Sequence, residues 1–214
     1  MNRSKIIVYI SAGAIILFAV ASYIWQQQNA QSSAQVNPNN PALERSYSPS
    51  MGPDNAKVTI VEFFDPACEA CRAFYPVVKK IMSQYPNDVR LVLRYTTFHE
   101  GSDEVVRIIE AARKQGLFKP VLEAILIKQP EWASHGSPDL SKAWAAAASA
   151  GLDIEQAKID GYTSAIDQLL QQESADVNTM KVEKTPTFFV NGKGLPSFGA
   201  QQLYDLVSAE ANQN

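Results

Sequence analysis

The chain reads as an α/β domain whose two halves are separated by a block of helices, and three observations carry that reading. A β-branched and aromatic run, a run with helical spacing and a second apolar run follow one another from Ala56 to Thr97. Helical patterning then fills Ser102 to about Lys181, and a short apolar strand ending in Asn191-Gly192 precedes a last amphipathic segment. The expected organisation is a signal-anchor or transmembrane segment over 1–25, a flexible linker over 26–52, and a folded domain over 53–214 with its helical insertion at about 102–181.

Each element has a local cause. Ala56 to Phe64 has the length and composition of a buried strand, and Asp65-Pro66-Ala67 breaks it. From Cys68 to Tyr85, Cys71, Phe74, Tyr75, Val78 and Met82 recur at three- and four-residue intervals, which predicts a helix that Pro76 should kink. Asp88 to Thr97 is a second strand, and a strand–helix–strand start implies parallel pairing. In the helical block Ser102 can cap a segment that Gly116 ends, Ser137-Pro138 opens an alanine-rich one closed by Gly151, and Asp153 and Thr163 can begin two more. The alanine-rich run is most simply a helix packed close to a neighbour. Asn191-Gly192 is a hairpin signal, and Ala200 to Ala211 forms the final helix.

Composition narrows the function. With 19 basic and 22 acidic residues the net charge is −3, which argues against nucleic acid as a partner because phosphate binding needs a basic surface. Two cysteines and two histidines cannot supply several disulfides or a large metal cluster.

Ile6 to Trp25 carries no charge, and a helix of that length rises about 30 Å, enough to cross a bilayer. A cleavable secretory signal competes, since Ala19-Val20-Ala21 has the small-x-small form. Tyr23, Ile24 and Trp25 beyond it instead resemble an interfacial belt, which favours an uncleaved anchor. Arg3 and Lys5 precede the span, so on either reading the rest lies outside the cytoplasm. Gln26 to about Gly52 is rich in Gln, Asn, Ser and Pro and reads as a tether.

The only cysteines form Cys68-Glu69-Ala70-Cys71, where a strand gives way to a helix. Residues three apart share a helix face, so the sulfurs can approach bonding distance. The first sulfur stands at the helix N-terminus, where free N–H groups and the macrodipole favour a thiolate, the species that attacks disulfides. Cys68 is the expected nucleophile and Cys71 the deeper resolving thiol. Two other readings stay open. A structural disulfide closing so small a loop restrains the unfolded chain little, and a zinc site would need His99 and His135, which are far from the usual spacing.

The segment from Ala56 to Asp65 before the cysteines, together with Thr185-Pro186-Thr187-Phe188-Phe189-Val190-Asn191-Gly192, resembles the DsbA-type thiol–disulfide oxidoreductases of the thioredoxin superfamily. The resemblance spans about residues 50 to 212. It implies a thioredoxin fold with a helical insertion between the βαβ and hairpin–helix halves, Pro186 as a cis-proline facing the cysteines, and Thr185 positioned to pair with a substrate strand. It also implies Glu62 beneath the buried cysteine with Arg94 as its basic partner; two half-exposed strand residues are the alternative.

On this resemblance the chain needs no cofactor or metal beyond a redox-active Cys68–Cys71 disulfide. It would act on exported cysteine-containing proteins at the periplasmic face of a bacterial inner membrane. As an oxidase it would be recharged by a quinone-linked partner of the DsbB or vitamin-K-epoxide-reductase type; as a reductase or isomerase it would be kept reduced by a DsbD-type donor. A non-enzymatic chaperone is the third class. Where DsbA-type oxidases typically carry Pro-His, this chain has Glu69-Ala70. Glu69 and Asp65 are expected to disfavour a Cys68 thiolate about as much as Arg72 and the helix end favour it, which predicts a milder oxidant.

Overall fold

The computed structural model describes residues 16–22, 35–134 and 136–213. Five strands form one sheet in the order β1-β3-β2-β4-β5, with β1 at Ser50–Met51, β2 at Val58–Phe64, β3 at Val89–Tyr95, β4 at Thr187–Val190 and β5 at Lys193–Gly194. β2 and β3 run parallel through the crossover helix α1, Glu69–Gln84, and the other pairings are antiparallel. Between β3 and β4 lie α2 (Ser102–Lys114), α3 (Phe118–Trp132), α4 (Leu140–Ser149), α5 (Ile154–Gly161) and α6 (Ser164–Thr179); α7, Ala200–Ala211, closes the domain. The expected strand, helix, strand, helical block, hairpin and helix are all present. The break expected at Gly116 separates α2 from α3; β1 and the start and end of α3 are additions that the periodicity did not resolve.

The sheet is buried on both faces, which is why β2 and β3 carry almost unbroken apolar runs. Ile60, Phe64, Leu91 and Leu93 join Cys71, Tyr75 and Val78 of α1 and Leu203 and Val207 of α7 in the larger core. Val61, Phe63, Val92 and Phe189 face the other way and pack with Leu43, Val177 and Val182. At the β4–β5 turn Asn191 and Gly192 both have positive φ, 48° and 80°, as a tight hairpin requires. Val36 N–H also donates to the Gly192 carbonyl at 2.8 Å, an approach that leaves no room for a side chain at 192.

Two expectations are corrected here. The linker predicted over 26–52 is not free over its second half: Ala42 and Leu43 are buried, Arg90 forms a bidentate pair with Glu44, and Ser50–Met51 pairs with β3. Leu43 supplies apolar surface to a sheet face that would otherwise stay wet. The Glu62–Arg94 pair does not form either. The register sets Phe63 opposite Arg94 and Glu62 opposite Leu93, and residues paired across a parallel ladder share a face, so the two charged groups point to opposite sides.

Arg94, wholly buried, instead donates to both Glu173 oxygens at 3.2 and 3.1 Å, to Asp176 at 2.6 Å and to the Ala42 carbonyl, and its guanidinium lies 5.7 Å from the Phe63 ring centroid. Arg45 completes this network with a bidentate contact to Asp176. The cluster ties the segment around Ala42 and the helix α6 to the back of the sheet.

Of the expected membrane segment, residues 16–22 are helical and exposed, and the rest lies outside the described residues. Among the described residues no helix is long and apolar enough to cross a membrane. His135 also lies outside them.

Replacing Arg94 with Met strands Glu173 and part of Asp176 in the interior, which should cost about 3 kcal/mol in urea unfolding. The same variant should leave the ionisation of Cys68 unchanged, because Arg94 lies across the sheet from it. A shifted thiolate titration would place Arg94 back at the site.

Candidate active site

The two sulfurs lie where β2 ends and α1 begins. Cys68 is the N-cap of α1 with extended backbone, φ −76° and ψ 121°, so its side chain stands beside the free N–H groups of the first turn. Cys71 lies on the inner face of that turn with no exposure at all. Both are thiols in this structure. The loop before them is tightly held: Gln129 of α3 donates to the Pro66 and Cys68 carbonyls at 2.8 and 3.0 Å while accepting from Arg72 Nε at 2.9 Å.

Across from Cys68 is the loop that leads into β4. The Thr185–Pro186 bond is cis, as expected, and the Thr185 carbonyl lies 3.3 Å from Cys68 Sγ. A cleft of about 420 Å³ runs alongside, lined by Lys181, Lys184, Pro186, Phe188, Leu195 and Phe198. Phe198 is half exposed there and stacks at 4.5 Å on Phe74 of α1.

The sulfurs differ in their electrostatics. The Cys71 thiol, the Thr185 side chain and the nearby backbone N–H groups of Cys71 and Ala70 lower the Cys68 thiol to about 5 against the opposing cost of burial. The contact to the Thr185 carbonyl favours the proton and is outweighed. Cys71 moves strongly upward, first because it is buried, then because it donates to Cys68 and feels the charge of Glu62. The near-cancellation expected for Cys68 is therefore corrected. Short-range hydrogen bonds exceed the through-water effect of Glu69, which is exposed.

Asp65 also acts differently from the expectation. Its carboxylate is fully buried and accepts from Ala67 N–H at 2.9 Å, from the Ser102 hydroxyl, from the Phe98 and His99 N–H groups at 2.8 and 3.1 Å, and from His99 Nδ1 at 2.9 Å. It thus pins the end of β2 to the β3–α2 loop. Glu62 lies on the Cys71 side of the sheet, and neither of its oxygens has a hydrogen-bond partner among the described residues. Burial, and secondarily the Cys68 charge, push its carboxyl up to about 8.

Of the residues singled out in the sequence, Cys68, Cys71, Thr185, Pro186 and Glu62 are brought together, Asp65 and Glu69 border them, and Arg94 is elsewhere. Sequence reasoning missed His99 and Gln129. His99 could have been found, because it follows the C-terminal end of β3, and loops at that edge of an open α/β sheet gather around the site. Gln129 lies in the last turn of a helix distant in sequence from the cysteines and carries no such signal.

A thioredoxin family model, Thioredoxin_4, matches residues 44–207. A thioredoxin-like oxidoreductase from Silicibacter pomeroyi is 30% identical, with a TM-score of 0.70 over 82% of this chain and 99% of that one. BdbD from Bacillus subtilis, in its oxidised form, superimposes with a TM-score of 0.71 at 23% identity, covering 85% of this chain and 99% of that one. Among curated proteins, the Na(+)/H(+) antiporter NhaA of Herminiimonas arsenicoxydans is 26% identical over 91% of this chain, and the match spans 30% of the antiporter's length.

Absorbance of the reduced protein at 240 nm should report a thiolate with a midpoint near pH 5, lost in Cys68→Ser; a midpoint above 8 would contradict the arrangement. Glu62 makes a second forecast. Its carboxyl stays protonated in the native state until about pH 8 but ionises near 4.5 when unfolded, so wild-type stability falls between those values. In the reduced protein the stability advantage of Glu62→Leu should therefore grow by about 3 kcal/mol from pH 5 to pH 8. A pH-independent difference would mean that the carboxyl is hydrated.

Proposed function

The chain belongs to the thioredoxin family, and from that premise we propose that it is an extracytoplasmic protein thiol oxidase working through the Cys68–Cys71 disulfide. The observation that carries the reading is the unequal pair of sulfurs. A Cys68 thiol lowered to about 5 stabilises the reduced enzyme, and a dithiol whose reduced form is stabilised is a strong acceptor of electrons in its disulfide form.

The exchange follows from the geometry. A client thiolate lying along the Thr185-Pro186 loop attacks Cys68 Sγ, a client–Cys68 bond forms, and the Cys68–Cys71 bond breaks. Cys71 leaves as a thiolate that its buried position strongly disfavours, and the protonated Glu62 carboxyl is the nearby acid able to neutralise it near pH 7. A second client thiolate then attacks the client sulfur of the mixed disulfide. Cys68 departs as the stabilised thiolate, so the client leaves oxidised and the enzyme holds two more electrons. Cys68 is the attacked sulfur in this scheme because Cys71 is sealed beneath it.

Clients are exported cysteine-containing proteins. The apolar cleft with Phe188 and Phe198 suits unfolded chains, whose side chains are open to it. Recharging falls to a quinone-linked membrane partner of the DsbB or vitamin-K-epoxide-reductase type. The uncharged run from Ile6 to Trp25, preceded by Arg3 and Lys5, supports a single-pass tether with the catalytic domain outside a bacterial inner membrane. That a segment like this one occurs within longer antiporter chains agrees with work at a membrane.

Alkylation trapping of the cysteine pair in cells should find it mostly oxidised; a mostly reduced pair would assign the chain to the reductase or isomerase branch with a DsbD-type donor. Cys68→Ala should abolish exchange, whereas Cys71→Ser should accumulate mixed disulfides through Cys68. Retained activity in Cys68→Ala would instead support a chaperone.

A further inference from the structure

We propose that His99, held on the buried Asp65 carboxylate by the loop after β3, is a positioning residue that presents a positive charge to Cys68 and sets how oxidising the site is. The inference rests on the redox reading above and deepens it. Nothing between the two cysteines can supply this charge, since the pair encloses Glu69 and Ala70. The nearest cation in sequence, Arg72, is turned to Gln129 of α3 at 2.9 Å.

The geometry is built for an imidazolium. Asp65 has no exposure, and its Oδ2 takes the His99 ring Nδ1 at 2.9 Å together with the N–H groups of Phe98 and His99. A buried carboxylate orients the ring nitrogen it holds and favours its proton. The same aspartate accepts from Ala67 N–H at 2.9 Å through its side chain and from Cys68 N–H at 3.1 Å through its backbone carbonyl, so the ring is held beside the start of α1. The His99 side chain is 30% exposed and borders a cavity of about 220 Å³ lined by Ala67, Phe98, Glu100 and Ser134, so its proton can exchange with water.

The groups acting on it come from both neighbouring elements. Burial opposes the proton, and Asp65 from the end of β2 with Cys68 and Glu69 from the start of α1 raise the affinity above it; the net direction is upward. Glu100 is the charged neighbour on its own loop. The Cys68 thiol ionises near 5 and the His99 ring holds its proton to a higher pH than an ordinary imidazole, so the thiolate and the imidazolium coexist in the window between the two. Hydrogen bonds from Cys71 and Thr185 remain the larger causes at Cys68, so His99 adds a partial effect, about tenfold for one unit charge across a partly solvated gap.

Linkage makes the coupling testable in both directions. By proton NMR on wild-type protein, with the resonance assigned by loss in His99→Gln, the His99 pKa should be at least half a unit higher in the reduced protein than in the disulfide form. In glutathione redox buffers His99→Gln should be about tenfold less oxidising, which is about 30 mV for this two-electron couple, with the thiolate midpoint raised by about one unit. His99→Lys, which keeps a cation, should stay within threefold of wild type. Equal His99 pKa values in the two redox forms, or glutathione equilibria that shift equally in the Gln and Lys variants, would overturn the proposal by reducing His99 to a structural part. The NMR comparison needs no mutant to fold beyond the one used for assignment. If the wild-type protein itself fails to equilibrate with glutathione, it is the oxidase reading that falls.

Discussion

The start of α1 gives two sulfurs one helical turn apart unequal surroundings, and the chemistry of the domain depends on that inequality. Both sulfurs belong to the larger core, but Cys68, at the N-cap, keeps a small exposure and is favoured as a thiolate by Cys71, the Thr185 side chain and the nearby N–H groups of Ala70 and Cys71, whereas Cys71 has no exposure at all. Because a thiolate is stabilised by donors and penalised by desolvation, the same residue type becomes a leaving group at one position and a reluctant anion at the other. The asymmetry requires that the strand end, the helix start and the Thr185-Pro186 loop meet at one edge of the sheet. β2 lies between β3 and β4 for that reason.

The sheet also divides its buried charges by face. Glu62 points toward α1 with no partner among the described residues, and Arg94 points to the opposite side, where Glu173, Asp176 and Arg45 satisfy one another. Had the two met, the arginine would have kept the carboxyl ionised and removed a protonated acid near Cys71. The unpaired carboxyl is costly to the fold, and a group held protonated near neutral pH is what a departing thiolate needs. The opposite face is made for cohesion: its ion-pair network fastens residues around Ala42 and the end of α6 to the sheet.

Asp65 joins these parts. Its five contacts bind the end of β2 to the loop after β3 and the first residue of α2, so the helical insertion enters the domain at a fixed angle beside the cysteines. Gln129, farther along the insertion, returns to hold the carbonyl of Cys68 itself. The insertion is thus more than a lid; it supplies groups that position the loop carrying the reactive sulfur.

Local patterning was enough to place the cysteines at a strand–helix junction, to end the chain in a hairpin and helix, and to order the elements, because turn chemistry, helix spacing and β-branched runs act over a few residues. The last helix runs from Ala200 to Ala211, as its periodicity indicates. What the tertiary structure decided was which distant groups share a space. The face on which Arg94 emerges is set by a one-residue register between β2 and β3, the ionisation of Cys68 by donors from the far side of the fold as well as its own helix, and the placement of His99 by a buried aspartate more than thirty residues earlier in the chain. Electrostatics in a desolvated site falls off over ångströms in space, and sequence distance does not measure those ångströms.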